Sequence, residues 1–295
     1  MLILFPHQPF ASSKPDFDFA DESSAASAVG FQVGYYDHEA LTGGDAESAL
    51  RHLPRVIGAA KPLILRGWMM PGEKYAVLYH ALCLKGFAPQ TTPSAYEEAH
   101  YFPLAYQHLA GTTARCAWIP GDDADAAWKL YQDFRHGDAL IKDWVKSAKS
   151  RWLDGCFLPA NTVEGRFREI FATFRGTRGD LFNKGVVIEE FMPIVQSGTD
   201  MRGFPLVDET RLFFWRGRIL VESSSSPSSA ITMRDLWESI AGKFKSPFMT
   251  IDVAYLTDGS WKIIEVGDGG VSGLPVGLDA IQFYERLSER VNPDD

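Results

Sequence analysis

Apolar and polar positions along this chain switch between two periods, and the switches mark its elements. Short apolar runs at residues 2–5, 31–36 and 61–66 read as strands. Residues 12–28, polar and rich in small side chains, read as a loop leading into a short helix, and residues 45–53 as a weak helix. Over residues 71–85, Tyr75, Leu78, Tyr79 and Leu82 recur at helical spacing, and Gly86 supplies the stop. Residues 87–92 follow as a strand and 93–108 as helix and loop. Strands alternating with helices over residues 1–111 predict an open α/β lobe.

The pattern changes near Thr112. Strands are expected at 114–119, 139–145 and 185–191, with a helix at 122–135. Phe167, Ile170, Phe171 and Phe174 at i, i+3, i+4 and i+7 place a helix over 162–174. Residues 206–214 and 218–222 read as a hairpin around Trp215-Arg216-Gly217, and residues 223–229 as a low-complexity serine tract. Helices at 231–244 and 278–291 complete an α+β lobe with antiparallel sheets over residues 112–295.

The most informative stretch runs from Thr250 to Asp268. Two β-rich runs flank Asp258-Gly259, a strong hairpin signal. An even loop would pair Leu256 with Trp261, Ala254 with Ile263 and Asp252 with Glu265. Facing like charges are destabilising, so a cation is expected there. Mg²⁺ takes one or two carboxylates plus substrate phosphates. Asp268 follows in Gly267-Asp268-Gly269-Gly270. The alternative is one carboxylate in solvent and the other paired with an arginine.

Composition narrows the class. Hydrophobic residues make up 45% and charged residues 23% of the 295, as in ordinary globular proteins. The net charge of −9 argues against extended nucleic-acid binding. Cys83, Cys116 and Cys156 are odd in number and widely spaced, and read as free thiols in a reducing cytoplasm. No apolar run is long enough for a membrane span. Walker, Gly-x-Gly-x-x-Gly and Gly-x-Ser-x-Gly motifs are absent.

Other charged residues sit in informative places. Lys142 lies inside the apolar strand 139–145; an inward lysine there needs an anion, whereas one on the solvent face of an edge strand, the commoner case, needs none. The strand through Glu189, Glu190, Phe191 and Met192 runs from apolar residues into two acids and then a Pro. Arg211 opens the strand Leu212-Phe213-Phe214, so its guanidinium could project at a phosphate or a carboxylate. Arg66 ends a strand of the α/β lobe, where open sheets bind ligands; the alternative is a surface arginine packing on Trp68. Arg202, Arg216 and Arg218 read as solvated or uncommitted.

In this order, Ile64-Leu65-Arg66-Gly67-Trp68, Ile141-Lys142-Asp143-Trp144-Val145-Lys146 and Ile263-Ile264-Glu265-Val266-Gly267-Asp268 resemble the ATP-grasp superfamily. The nearest likeness is to the clade named for two arginines and a lysine. That resemblance implies ATP clamped between two α+β subdomains. Lys142 would contact phosphates, with Lys146 in support, and Glu189, Glu190, Phe191 and Met192 would form the adenine hinge. Arg211 would bind the triphosphate, Asp252, Glu265 and Asp268 would hold Mg²⁺, and Arg66 would stand on the acceptor side. The implied activity is an ATP-dependent ligase acting on a small-molecule or peptide acceptor. An ATP-binding assembly factor without turnover is the alternative, as is an enzyme modifying nucleic acid or protein in phage–host conflict. Two features depart from the family: Gly267 stands where ligases often carry Asn, and no glycine-rich phosphate lid is evident near residues 147–150.

Overall fold

The computed structural model describes residues 1–199, 205–207, 209–224, 230–275 and 277–291. Arg202 and most of the serine tract fall outside them. The chain forms two compact units that interleave in sequence. The first is Met1–His100, Glu209–Val253 and Glu265–Asp295; the second is Tyr101–Asp208 and Ala254–Ile264. A single division at residues 111/112 therefore does not describe the packing, because strands from both ends of the chain share one core.

In the first unit, β1 (Leu2–Gln8), β3 (Gln32–Tyr36), β4 (Lys61–Leu65) and β5 (Phe87–Pro89) form a parallel sheet in the order β3-β1-β4-β5. A further strand, β2 (Ala11–Pro15), folds back antiparallel on the end of β1. It lies in a stretch too polar to show strand periodicity. Alternation along β1 and β4 sends Leu2, Leu4, Leu63 and Leu65 to one face and Ile3, Phe5 and Ile64 to the other. The first face is covered by Tyr75, Leu78 and Leu82 of helix α4 (Gly72–Leu84). Both faces are buried, as parallel sheets require. Gly86, with φ 87°, ends α4 as expected; a Cβ there would lie 2.8 Å from Val56 O. The weak helix expected at 45–53 is the single short α3 (Ala46–Ala49), and a further short helix, α2 (His38–Thr42), precedes it; both lie between α1 (Ala20–Ala28) and β4. Asp37 and Asp45 cap them by accepting from the amides of Ala40 and Ser48, each at 2.9 Å. After β5, α5 (Pro93–His100) completes this part of the unit.

The second unit opens with α6 (Phe102–Leu109). Its sheet is antiparallel, with the order β6-β9-β7-β8: β6 (Cys116–Pro120), β7 (Ala139–Asp143), β8 (Phe157–Leu158) and β9 (Gly185–Glu190). Helices α7 (Ala124–Tyr131) and α8 (Glu164–Arg178) cover one face. Phe167, Ile170, Phe171 and Phe174 pack there on Ile141, Val186 and Ile188. A two-stranded ribbon of β10 (Gln196–Thr199) and β11 (Pro205–Val207) follows.

The last sheet runs β13-β12-β14-β15: β12 (Glu209–Trp215), β13 (Arg218–Ser224), β14 (Phe248–Tyr255) and β15 (Trp261–Asp268). Helix α9 (Arg234–Ala241) precedes β14, and α10 (Ala280–Val291) ends the described chain. Phe213, Trp215, Phe248, Phe283 and Leu287 belong to the same core as Ile3 and Phe5. An α/β lobe followed by antiparallel α+β sheets is thus the fold, as the residue pattern predicts. Among the described residues no helix is long and apolar enough to cross a membrane.

Candidate functional site

Alternation in the second unit's sheet leaves one face without helices α7 and α8. Cys116 lies opposite Glu189, Glu189 opposite Leu140, and Leu140 opposite Phe157, while Lys142 and Trp118 both lie opposite Val187. Lys142 therefore points away from the helical core, onto the same face as Glu189. Its ammonium lies 2.6 Å from Glu189 Oε2 and 3.6 Å from the centre of the Phe102 ring. A carboxylate and a ring thus supply the anion and quadrupole that a nearly buried lysine needs. Burial pushes the Cys116 thiol up to about 12 against the opposing charge of Lys142, with Glu189 adding a smaller push.

The loop after β7 is organised by a residue that motif reasoning passed over. Asp143 is fully buried and accepts from the amides of Val145 and Lys146, both at 2.7 Å, and from Arg178 Nε at 2.8 Å. Its own amide donates to Lys146 O at 3.0 Å, so Lys146 is carried on a tight turn beside Lys142. The strand ends at Asp143, two residues short of the expected 145.

The expected hinge is held on both sides. Glu190 accepts from Arg115 Nε at 2.7 Å, with both side chains about half exposed. The Phe191 amide donates to Asp138 O at 2.9 Å. The Phe191 ring meets Phe157 edge-on at 5.4 Å and Trp152 at 6.1 Å, and Trp152 stacks on Phe157 at 5.7 Å. Met192 follows, half-buried, and Pro193 O accepts from the Thr257 amide at 2.9 Å. Trp152 sits on a single π-helical turn, Trp152–Cys156, that no sequence period announces.

In the first unit, Arg211 of β12 grips Asp252 of β14 with two hydrogen bonds, Nε to Oδ1 at 2.8 Å and Nη2 to Oδ2 at 2.6 Å. Its Nη1 donates to Gly273 O at 3.1 Å. The hydrogen bond to Asp252 raises the Arg211 pKa above its ordinary value, and the charges of Asp252 and Glu265 add to the effect against burial. Both carboxylates thus act on one guanidinium, and the Asp252–Arg211 pair is the alternative that the residue pattern left open.

The hairpin turn differs from the expected even loop. Leu256 N donates to Ser260 O at 2.8 Å and Gly259 N to Leu256 O at 3.0 Å, with Gly259 at φ 84°. This is a three-residue loop closed by a bulge, so Leu256 faces Ser260 rather than Trp261. Trp261 meets Tyr255 instead, with ring centres 5.2 Å apart. At the base, Thr250 and Gly267 share a face: a Cβ on Gly267 would lie 3.1 Å from Thr250 Oγ1 and 3.0 Å from Ser272 Oγ. The two ends of the hairpin are therefore one residue out of step. Thr250 and Ser272, joined by a 2.8 Å hydrogen bond, fill the space beside Gly267.

Two expected site residues are placed elsewhere. Asp268 is three residues beyond Glu265, and alternation turns it to the opposite face of β15. Its carboxylate is 1% exposed and accepts from Gly270 N at 2.8 Å and Ser246 Oγ at 3.2 Å. Burial pushes it up to about 6. Arg66 is likewise 1% exposed, paired with both Glu22 oxygens at 2.9 and 2.8 Å. It also donates to Gly269 O, and to Ser272 O at 2.7 Å. Burial alone would lower its pKa; Glu22 more than offsets that. Arg66 thus ties β4 to α1 and to the loop after β15, with no surface left for an acceptor.

No group of three or more His, Cys, Asp or Glu able to hold a metal exists among the described residues. Two carboxylates, Asp252 and Glu265, with hydroxyls at Thr250 and Ser272, still suit Mg²⁺, which completes its shell with water and phosphate oxygens.

Known structures share this fold. A RimK domain ATP-grasp protein from Sphaerobacter thermophilus superposes with TM-score 0.62 at 11% identity, over 98% of each chain. The D-cycloserine synthetase DcsG gives 0.60 at 12% identity over 99% of this chain and 100% of its own. The ATP-grasp ligase PsnB, complexed with a minimal precursor, gives 0.57 at 13% identity over 98% and 99%. No curated protein matches in sequence. The model for the ATP-grasp domain of family 3 in the clade named for two arginines and a lysine matches residues 128–287, more than half of the chain, and the chain belongs to that family.

Proposed function

We propose that this protein is an ATP- and Mg²⁺-dependent ligase that activates a carboxylate as an acyl phosphate for attack by an amine or similar nucleophile. The observation that carries the reading is the cluster of Arg211, Asp252 and Glu265 on three neighbouring strands, within a chain of ATP-grasp ligase fold. Bound Mg²⁺ would neutralise charge on the phosphates, held by Asp252 and Glu265. Arg211 then exchanges part of its grip on Asp252 for phosphate oxygens, and its fixed fork orients them. Lys142, with Lys146 beside it, contributes charge to the phosphates, while Glu189 and Phe102 hold the Lys142 ammonium in place. Glu190 and the backbone of Phe191 and Met192 face the base. Catalysis on this reading is positioning and charge neutralisation.

The fold neighbours include a D-cycloserine synthetase and a ligase complexed with a precursor, so a small molecule and a peptide are both in scope as acceptor. A cytoplasmic setting suits an ATP consumer with free thiols. A second reading, ATP binding without turnover, draws support from Gly267, which offers no side-chain ligand and where a Cβ would press on Thr250 Oγ1 at 3.1 Å and Ser272 Oγ at 3.0 Å.

The test is calorimetric titration of ATP with and without Mg²⁺ on the wild type, Lys142→Ala and Glu265→Ala. The expected result is Mg²⁺-dependent binding weakened about tenfold or more in each variant. Unchanged affinity in both would overturn the assignment. ADP release that requires added acid and amine separates ligase from binding factor.

A further inference from the structure

Arg216 and Gly217 form the two-residue turn between β12 and β13, closed by the pair Trp215–Arg218, with φ of 48° and 75°. Positive φ at both positions is the type I′ hairpin geometry, which favours Asn, Asp or Gly and strains a long side chain. Gly217 has a local reason to be there, since a Cβ would approach Gly242 Cα at 3.0 Å. Arginine has none. Its backbone amide fixes the turn by donating to Pro247 O at 2.6 Å. Its guanidinium is exposed, stands 5.7 Å from the Trp215 ring centre, and has no ion-pair partner among the described residues. A strained position thus displays an unspent positive charge.

That charge borders a cavity of about 480 Å³ in the first unit, lined by Val29, Phe31, Pro62 and Val291 and by Ser288 of α10. The volume lies in the range of small-molecule sites, and the lining mixes apolar walls with the polar groups of Gln90, Arg216 and Ser288. Phe31 precedes β3 and Pro62 is the second residue of β4, whereas Arg66 lies just beyond the other end of β4. The cavity is therefore distinct from the Arg211–Asp252–Glu265 cluster, and none of its lining residues belongs to that cluster.

We propose that this cavity binds a small organic anion with an apolar body, its acidic group on Arg216 and its body against Phe31, Pro62 and Val291. An uncharged analogue lacks the charge-assisted hydrogen bond and binds less well. The proposal is independent of the nucleotide reading.

The probe is 1-anilinonaphthalene-8-sulfonate, titrated by fluorescence into the folded full chain, with displacement by phenylacetate and by phenylacetamide. The expected result is one saturable site per chain, displaced by phenylacetate in preference to phenylacetamide. Arg216→Asn keeps the turn geometry, so the melting temperature holds or rises while affinity falls about tenfold or more. Ser288→Trp, with the charge intact, fills the cavity from α10 and also removes binding. Wild-type affinity in either folded variant, or equal displacement by acid and amide, overturns the proposal. Because Ser288→Trp leaves the turn untouched, the test stands even if Arg216→Asn fails to fold.

Discussion

Arg66 and Lys142 are both nearly buried cations at strand ends, and both look from the sequence like groups that meet a ligand. Their surroundings separate them. Arg66 spends four N–H groups on Glu22, Gly269 and Ser272, and Tyr284 in turn donates to Glu22 at 2.9 Å. Lys142 has one carboxylate and one ring among the described residues, although an ammonium carries three donors. Burial alone does not mark a site; capacity left unused by the fold does. Arg211 lies between the two, with an acidic partner that Mg²⁺ could share.

The largest test of that distinction is Arg66→Ala, which strands Glu22. It is expected to cost about 3–5 kcal/mol in urea unfolding, the range for breaking a buried pair. A loss below about 1 kcal/mol would remove the contrast, since that is the scale of a surface pair. Asp268 extends it to a carboxylate held by internal donors. Its folded pKa of about 6 lies above the ordinary 3.8, so the protonated form is favoured in the fold. The resulting stability is present below pH 4 and is lost as pH rises through 6, leaving a cost on the order of 3 kcal/mol at neutral pH. Asp268→Asn should therefore raise the urea midpoint at pH 7 and leave it unchanged at pH 4; equal shifts at both would refute the assignment.

Lys142→Ala should behave differently from Arg66→Ala, costing about 1–2 kcal/mol of stability through the stranded Glu189 while weakening ATP binding. A collapse in melting temperature as deep as that of Arg66→Ala would make Lys142 a tether too. Glu190→Ala is the smallest case. Its pair with Arg115 is about half exposed on both sides, so thermal unfolding should shift by no more than about 1 kcal/mol.

Much of this fold is legible in the residue pattern, because the helix α8 face and the strands of both sheets carry clean periods. Lys142 stands out for a similar reason: a lysine in an apolar strand must have a partner. What the pattern cannot carry is the choice of partner. Arg66 and Glu22 are 44 residues apart and meet only through packing, and nothing in the local sequence separates that tether from an acceptor contact. The aromatic cluster of Trp152, Phe157 and Phe191 depends on a π turn and a two-residue strand, both too short for a period. Asp268 stands on the opposite face of β15 from Glu265, since an odd offset along a strand reverses the face.

The interleaving of the two units bears on how the chain acquires its structure. Ile3 and Phe5 share a core with Phe213, Phe283 and Leu287, so β1 meets these neighbours only after the long stretch of chain between them has been synthesised. Contacts so distant in sequence carry a high loop-closure entropy and slow folding. One face of the parallel sheet must wait uncovered in the meantime, and such a surface invites aggregation. Truncation before α10 should therefore harm the earliest strands more than the residues that directly precede the cut.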